Sequence, residues 1–481
     1  MVTDEQLAKY EMTIGIECHV QLATATKLFS GADNDARDQS PNSVVNPIDF
    51  GLPGMLPVLN REAVNLAIRA GKALNSDIAR VSRFDRKHYF YPDLPKGYQT
   101  TQMYNPIILE GYVDAPLEDG SIVSVRVDHA HMEEDAGKLT HYGDYSLVDL
   151  NRAGTPLIEI VSEPDIHSPA AAKAYATELY RLMTYAGVTH GDLYHGNMRF
   201  DVNISIAPKG STELGTRAEV KNLNSFRSVE RAAEYEFRRQ VERLEKGERI
   251  IQETRGWDDA KQKTSSQRSK EDAQDYRYMP DADIPPIVLT DEEIAEIQAL
   301  VPTLPAEYRS RWSSLELDSS VIGALLANQS YALIITEIQV NAGDSVAKRV
   351  AHWFASALSS DEPSGSAVSI SAESLIELAI MVDKSELSST NAKEIFVELL
   401  SSDRSPREIA ESRNLLQVSD ESAIAAVVDE VLADPGCRQA VEDLRAGNDK
   451  VIGFLVGQVM KKSQGKANPA LAQKLIRERI S

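Results

Sequence analysis

The chain has 481 residues, 26% of them charged and 42% hydrophobic, with a formal net charge of −22 and only two cysteines, Cys18 and Cys437. That length admits two to four domains, and two cysteines give no disulfide framework, which points to a reducing, cytoplasmic compartment. The acidic start "MVTDEQLAKYEMT" excludes a secretory signal, no apolar run nears the roughly 20 residues of a membrane span, and the overall charge excludes a surface uniformly coated for nucleic acid.

Up to about residue 290 the pattern is mixed. Strand-like alternation occurs in "TIGIECHVQL", "SIVSVRVDHAH", "MRFDVNISI" and "TRAEVKNL". Between these, the spacing predicts helices over 61–75, after Ser168 with Pro169 at the first helical position, and over 226–246, stopping at Gly247. The Pro/Gly-rich stretches "FGLPGMLPVL" and "YFYPDLPKGYQ" read as ordered loops. After Thr290, whose following acids Asp291, Glu292 and Glu293 suit a helix start, the chain is almost entirely helical. The small polar run 359–371 reads as a loop or linker, and a last helical unit begins near Ser405-Pro406. The expected architecture is α+β: a mixed or antiparallel-sheet catalytic domain over 1–290, a helical domain over 291–404 and a helical tail over 405–481. From Cys437 onward nine basic residues stand against four acids. That end reads either as a local nucleic-acid contact or as a helical tail with a solvated face.

Alternate strand residues share a face. In "TIGIECHVQL" one face carries Ile14, Ile16, Cys18 and Val20 and the other Gly15, Glu17, His19 and Gln21. In "MRFDVNISI" the polar set is Arg199, Asp201 and Asn203, and in "TRAEVKN" it is Arg217, Glu219 and Lys221. The stretch "HMEEDAGKL" adds Glu133, Glu134 and Asp135. Acids brought together from four segments cannot all stay ionised without a cation. Oxygen donors favour Mg²⁺, which keeps waters and binds phosphates; His19 also suits Mn²⁺ or Zn²⁺. The interleaved Arg and Lys then face phosphate oxygens. The same alternation also fits a half-exposed sheet with cross-strand Glu–Lys pairs and no ligand.

No G-x-x-x-x-G-K-[ST], G-x-S-x-G or C-x-x-C occurs, and "DFG" at Asp49–Gly51 lacks the other kinase motifs. Any ATP chemistry must therefore come from a fold without a Walker loop.

The segments "GIECHVQL", "FDRKHYFYPDLPKGYQ", "HMEEDAGK", "VDLNRAGTPLIEIVSEPD", "MRFDVNIS", "RAEVKNLNSFR" and "VIGFLVGQVMKKSQGKANP" resemble, in order and over nearly the whole chain, the B subunit of the tRNA-dependent aspartyl/glutamyl-tRNA amidotransferases. The resemblance implies ATP-dependent phosphorylation of the side-chain carboxylate of Glu-tRNA(Gln) or Asp-tRNA(Asn), then amidation by ammonia. A carboxylate is a poor acyl donor because oxide is its leaving group, and phosphorylation supplies a better one. The resemblance further implies ATP and Mg²⁺ as cofactors, a glutaminase A subunit and a small C subunit as partners, misacylated tRNA bound partly by the tail, and no membrane. Carried over motif by motif, the implied metal ligands are Glu17, His19 and Glu134. The implied catalytic or further-ligand groups are Glu133, Asp201, Glu219 and Lys221, and Arg152, Arg199 and Lys221 are implied to contact the nucleotide or acyl phosphate. The segment 27–54, where many family members carry a zinc-binding cysteine cluster, has no cysteine here. It is expected to be held by ordinary packing. Two readings from other classes stand beside this one: a tRNA-binding scaffold whose acids are structural, and a metal-dependent phosphatase.

Overall fold

The computed structural model describes residues 2–269, 275–357, 370–402, 404–416, 421–463 and 467–480, and the chain divides into two compact units, Met1–Tyr308 and Arg309–Ser481. Residues 359–369 of the expected linker lie outside the described residues.

The first unit is built on an eight-stranded sheet. Its strands are β1 (Tyr10–Gln21), β2 (Gly111–Pro116), β3 (Ile122–Glu134), β4 (Pro156–Ser162), β5 (Met198–Pro208), β6 (Ala218–Leu223), β7 (Glu253–Asp258) and β8 (Lys263–Ser269), in the spatial order β8-β7-β6-β5-β1-β4-β3-β2. All pairs are antiparallel except β6–β7, so the sheet is mixed. β1 lies near the middle. Its residues Ile14, Ile16, Cys18 and Val20 are at most 1% exposed and join one core with Phe200, Val202 and Ile204 of β5 and Ile158 and Ile160 of β4. Removing each such large side chain from water is worth about 1.5–3 kcal/mol.

Helices α1 (Arg61–Ala73), α2 (Pro169–Tyr185) and α3 (Phe226–Glu245) supply the rest of this core, through Ile68, Tyr175, Leu179, Val229 and Ala233. Their ends are set locally. Ser168 Oγ accepts from Ala171 N at 3.1 Å with Pro169 behind it, and Ser225 Oγ accepts from Ser228 N at 3.1 Å. Just past α3, Gly247 takes a φ of +76°, the left-handed conformation that ends a helix. These helices cover the apolar face of the sheet, and the polar residues of β1 lie on the other. The helix Asp291–Gln298, expected to open the helical region, packs on α1 inside the first unit, with Arg61 3.3 Å from Glu293.

The cysteine-free segment 27–54 is not held by ordinary packing alone. Lys27 is fully buried, and the Asp49 carboxylate accepts from its Nζ at 3.2 Å, from Ser30 Oγ at 3.2 Å and from Asn46 N at 2.8 Å. A buried cation needs a partner, and Asp49 supplies it.

The second unit is helical throughout its described residues. Tyr331, Phe354 and Phe396 pack with ring centroids 4.8 and 5.0 Å apart. The last four helices, Glu421–Leu432, Arg438–Arg445, Ile452–Lys462 and Pro469–Ile480, share a core of Ile424, Val428, Leu455, Val459, Leu475 and Ile476. The charge of the whole bundle is lower than that of its end from Cys437. The bundle includes acids that precede Cys437, so over 421–480 nine basic residues face eight acids. Arg479 pairs with Asp429 at 2.8 Å and Lys462 with Glu430 at 3.3 Å. Among the described residues no single helix is long and apolar enough to cross a membrane, and Ser319–Leu325 with Gln329–Ala342 passes that test only as a pair bent by 112°.

Candidate active site on the polar face of the sheet

Strand register assembles the site. Across β1 and β5, Glu17 stands opposite Asp201 and His19 opposite Arg199. Across β1 and β4, His19 stands opposite Glu159; across β3 and β4, so does His131; across β5 and β6, Asn203 stands opposite Glu219. Directly opposed residues on one face lie about 5 Å apart, so one polar row crosses five strands.

The row resolves into two adjoining groups. In the first, His19 Nε2 lies 3.6 Å from Glu133 and 3.5 Å from Glu159, and His131 Nε2 lies 3.4 Å from Glu159 and 3.9 Å from Glu133. In the second, one carboxylate oxygen from each of Glu17, Asp201 and Glu219 lies within 4.8 Å of the others. Lys221 Nζ sits 2.9 Å from both Asp201 and Glu219, Asn203 Nδ2 donates to Glu17 at 2.9 Å, and Thr254 Oγ1 donates to Glu219 at 2.7 Å.

The electrostatics follow from burial and crowding. Burial raises the Glu17 carboxyl above its usual range, and the charges of Glu159, Glu219 and Asp201 add to this against the Asn203 hydrogen bond. Burial and the charge of Glu159 likewise push Glu133 up, with His19 and His131 opposing. Glu159 goes the other way: burial disfavours its charge, but the His131 hydrogen bond and both imidazoles hold it well below the carboxylate range. Burial works against the His131 imidazolium too, and the Glu159 bond overrides it. Burial opposes the Lys221 ammonium, which Asp201 and Glu219 nevertheless hold above its ordinary value. Crowded acids of this kind are what a divalent cation resolves. The all-oxygen donor set of Glu17, Asp201 and Glu219 fits Mg²⁺; His19 with Glu133 and Glu159 offers one nitrogen and two carboxylates, which fits Mg²⁺ or Mn²⁺.

The expected ligand set of Glu17, His19 and Glu134 is not what the structure brings together. Glu17 and His19 fall in neighbouring groups, and Glu134 belongs to neither. Consecutive strand residues face opposite ways, so with Glu133 on the polar face, Glu134 turns to the other side. There its carboxylate accepts from Lys96 Nζ and from Thr100 N at 3.0 Å. Asp201, Glu219 and Lys221 stand together, with Glu133 in the adjoining group. Arg199 and Arg152 converge instead on Asp135, at 2.9 and 3.3 Å, and Arg152 also donates to the carbonyls of Ala136 and Gly137. Arg152 thus shapes the turn after β3, while Arg199 faces His19 across the register.

Sequence reasoning missed Glu159 and His131 as site residues. Glu159 is the single charge in the apolar run "PLIEIVS", and His131 shares strand parity with Glu133, so both signals were present. An aromatic wall was also missed. Tyr89, Tyr276, Tyr278 and Tyr104 follow one another at centroid distances of 6.1, 6.1 and 6.5 Å, with Lys87 Nζ 4.9 Å above the Tyr276 ring. Burial and then the charges of Tyr276, Glu159 and Glu133 push the Tyr278 phenol up to about 12.

Two family models match the chain: the GatB/GatE catalytic domain over residues 12–295 and the GatB domain over residues 335–480. Among curated proteins the chain is similar to the aspartyl/glutamyl-tRNA(Asn/Gln) amidotransferase B subunit of Trichodesmium erythraeum, 44% identical over 98% of each chain. It is 44% identical to that of Persephonella marina, over 98% of this chain and 99% of the relative, and 45% identical to that of Halorhodospira halophila over the same shares.

Proposed function

This chain belongs to the family of aspartyl/glutamyl-tRNA(Asn/Gln) amidotransferase B subunits, and from that premise we propose that the polar face of its sheet activates the side-chain carboxylate of Glu-tRNA(Gln) or Asp-tRNA(Asn) at the expense of ATP. The protein is one component of a ligase-type amidotransferase. The carboxylate oxygen attacks the γ-phosphorus of ATP, the bond from that phosphorus to the β-bridging oxygen breaks, and ADP leaves. Ammonia then displaces phosphate from the acyl phosphate to give the amide. The glutaminase component of the amidotransferase, as source of ammonia, and its small third component are the proposed partners, and the cytoplasm is the proposed compartment.

The observation that carries this reading is the pair of adjoining acidic groups on one sheet face, joined through β1 by Glu17 and His19 and flanked by Lys221 and Arg199. Glu17, Asp201 and Glu219 would hold one Mg²⁺, and His19, Glu133 and Glu159 a second. When bound, the metal supplies positive charge against the phosphate oxygens. Lys221 neutralises part of the acidic group and presents its ammonium toward phosphate. Arg199, oriented by Asp135, keeps a cation beside His19. Asn203 orients Glu17 by donating to one of its oxygens, leaving the other for a ligand.

The test is phosphate release by the assembled complex with ATP and misacylated tRNA. Asp201→Asn is expected to lower it about a thousandfold or more while glutamine hydrolysis by the partner persists. Undiminished release by that variant would refute the site, and a wild-type complex that binds tRNA without consuming ATP would favour the scaffold reading.

A further inference from the structure

β3 alternates regularly on either side of one irregular point. Val125 and Val127 lie in the core, and so do Ala130 and Met132, so the parity of the strand changes between 127 and 130. The register slips at the same place: Val127 stands opposite Ser162 but His129 opposite Val161. This is a β-bulge, which re-aims side chains at the cost of a locally broken ladder. It turns Asp128 and His129 out of the core together, and sets His129 on the same side as His131. Just past it, the Ala130 N–H donates to Ile108 O at 3.0 Å and the Ala130 carbonyl accepts from Ile108 N at 3.1 Å, which pins the backbone there.

The re-aimed side chains form a hydrogen-bonded chain. Asp128 Oδ2 lies 2.6 Å from His129 Nδ1, His129 Nε2 lies 3.2 Å from His131 Nδ1, and His131 Nε2 lies 3.4 Å from Glu159 Oε2. A carboxylate only accepts, so His129 Nδ1 donates to Asp128 and His131 Nε2 donates to Glu159. The middle bond needs one more proton, so the two rings share three N–H groups and one positive charge. His131 is thereby held at both nitrogens. His19 faces the same two acids through its Nε2, yet its Nδ1 has no partner among the described residues.

We infer that His129, anchored by Asp128, is a positioning residue: it holds the His131 ring so that Nε2 donates to Oε2 of Glu159 and leaves Oε1 to a divalent cation. The inference rests on the metal reading above. It gives the group of His19, Glu133 and Glu159 a counterpart to Asn203, which orients Glu17 in the other group. Residues of this kind orient a ligand without touching the metal, and losing one typically costs about 10–100-fold in metal affinity or activity. Stability alone is a poor account of the pair. The Asp128 side chain is 50% exposed and that of His129 28%, and an exposed ion pair does little to hold a fold together.

The experiment measures Mn²⁺ binding to the assembled complex without nucleotide, by electron paramagnetic resonance of the free ion, and separately the Mg²⁺ dependence of phosphate release. His129→Phe keeps a ring and removes both hydrogen bonds. His129→Gln keeps a donor for His131 Nδ1, and Asp128→Ala releases His129 from an exposed position. His129→Phe is expected to weaken one class of Mn²⁺ site about tenfold or more and to raise the Mg²⁺ half-saturation by a similar factor, with the KM for misacylated tRNA within about twofold. Asp128→Ala should weaken the same class about threefold, and His129→Gln should lie within about threefold of the wild type. Melting temperatures in chelator control for folding. Unchanged Mn²⁺ affinity in both His129→Phe and Asp128→Ala, or equal losses in His129→Phe and His129→Gln, overturns the inference. If the wild-type complex binds no Mn²⁺, the metal reading itself fails and takes the inference with it.

Discussion

Replacing Lys221 by methionine removes the ammonium seated between Asp201 and Glu219. Three carboxylates within 4.8 Å of one another repel by about 3.5 kcal/mol per pair at an effective dielectric of about 20, or about 10 in all. The ammonium, 2.9 Å from two of them, returns about 11 on the same scale, so the group is close to balanced as it stands. Lys221 is 39% exposed, and solvent and proton uptake by Glu17 absorb most of what its removal exposes. The net loss is therefore put at about 2 kcal/mol, a fall of about 4 °C in melting temperature for a unit of this size. Mg²⁺ at about a hundredfold its dissociation constant returns about 2.7 kcal/mol. Because the variant group is more negative, it should gain more from Mg²⁺ than the wild type, and the gap should close. The assay is thermal unfolding with and without Mg²⁺ after chelation. An equal Mg²⁺ gain in both proteins, or no gap in chelator, would refute the reasoning.

Glu159→Gln is expected to cut Mg²⁺-dependent ATP turnover about a hundredfold or more. Glu134→Gln should instead cost about 3 kcal/mol of stability by stranding the Lys96 ammonium, with the Mg²⁺ dependence retained; parallel kinetic and urea titrations separate the two, and identical effects would undo the assignment of Glu134 to the opposite face. In the tail, Arg445, Lys450 and Lys461 are exposed and have no ion-pair partner among the described residues. Changing all three to glutamine should weaken tRNA binding and flatten its log–log salt dependence by about two units, read by filter binding across salt concentrations. Hydrogen bonds from Arg126 hold the Asp165 carboxyl below its usual range despite partial burial. A depressed carboxyl adds stability above its unfolded pKa of about 4 and loses it as pH falls through the folded value. Denaturant midpoints between pH 5 and 2 should accordingly fall less steeply for Arg126→Gln than for the wild type.

Much of the sheet could be read from alternation alone. "TIGIECHVQL" separates into Ile14, Ile16, Cys18 and Val20 on the core side and Glu17 and His19 on the polar side, and the structure keeps that division. The helix start after Ser168 was equally legible, because a cap is a local hydrogen bond. Which residues meet across strands was not. Register brings Glu159 to both His19 and His131; its neighbours mark it only as a lone charge in an apolar run and do not say which residues it meets. Glu134 came in with the family motif "HMEEDAGK", although strand parity allows only one of two consecutive acids on the polar face. The tail's charge is a related case. Its net charge depends on where the bundle begins, and Asp429 and Glu430 are set against the basic stretch by folding rather than by sequence proximity. The buried Lys27–Asp49 pair was likewise invisible, since its two halves lie 22 residues apart.

The most direct measurement is anomalous diffraction from the assembled complex with Mn²⁺ and adenylyl imidodiphosphate. The account predicts manganese at Glu17, Asp201 and Glu219, at His19, Glu133 and Glu159, or at both, with phosphate oxygens completing the coordination. Manganese at Glu134 with the polar face empty, or nucleotide bound away from β1, would contradict it.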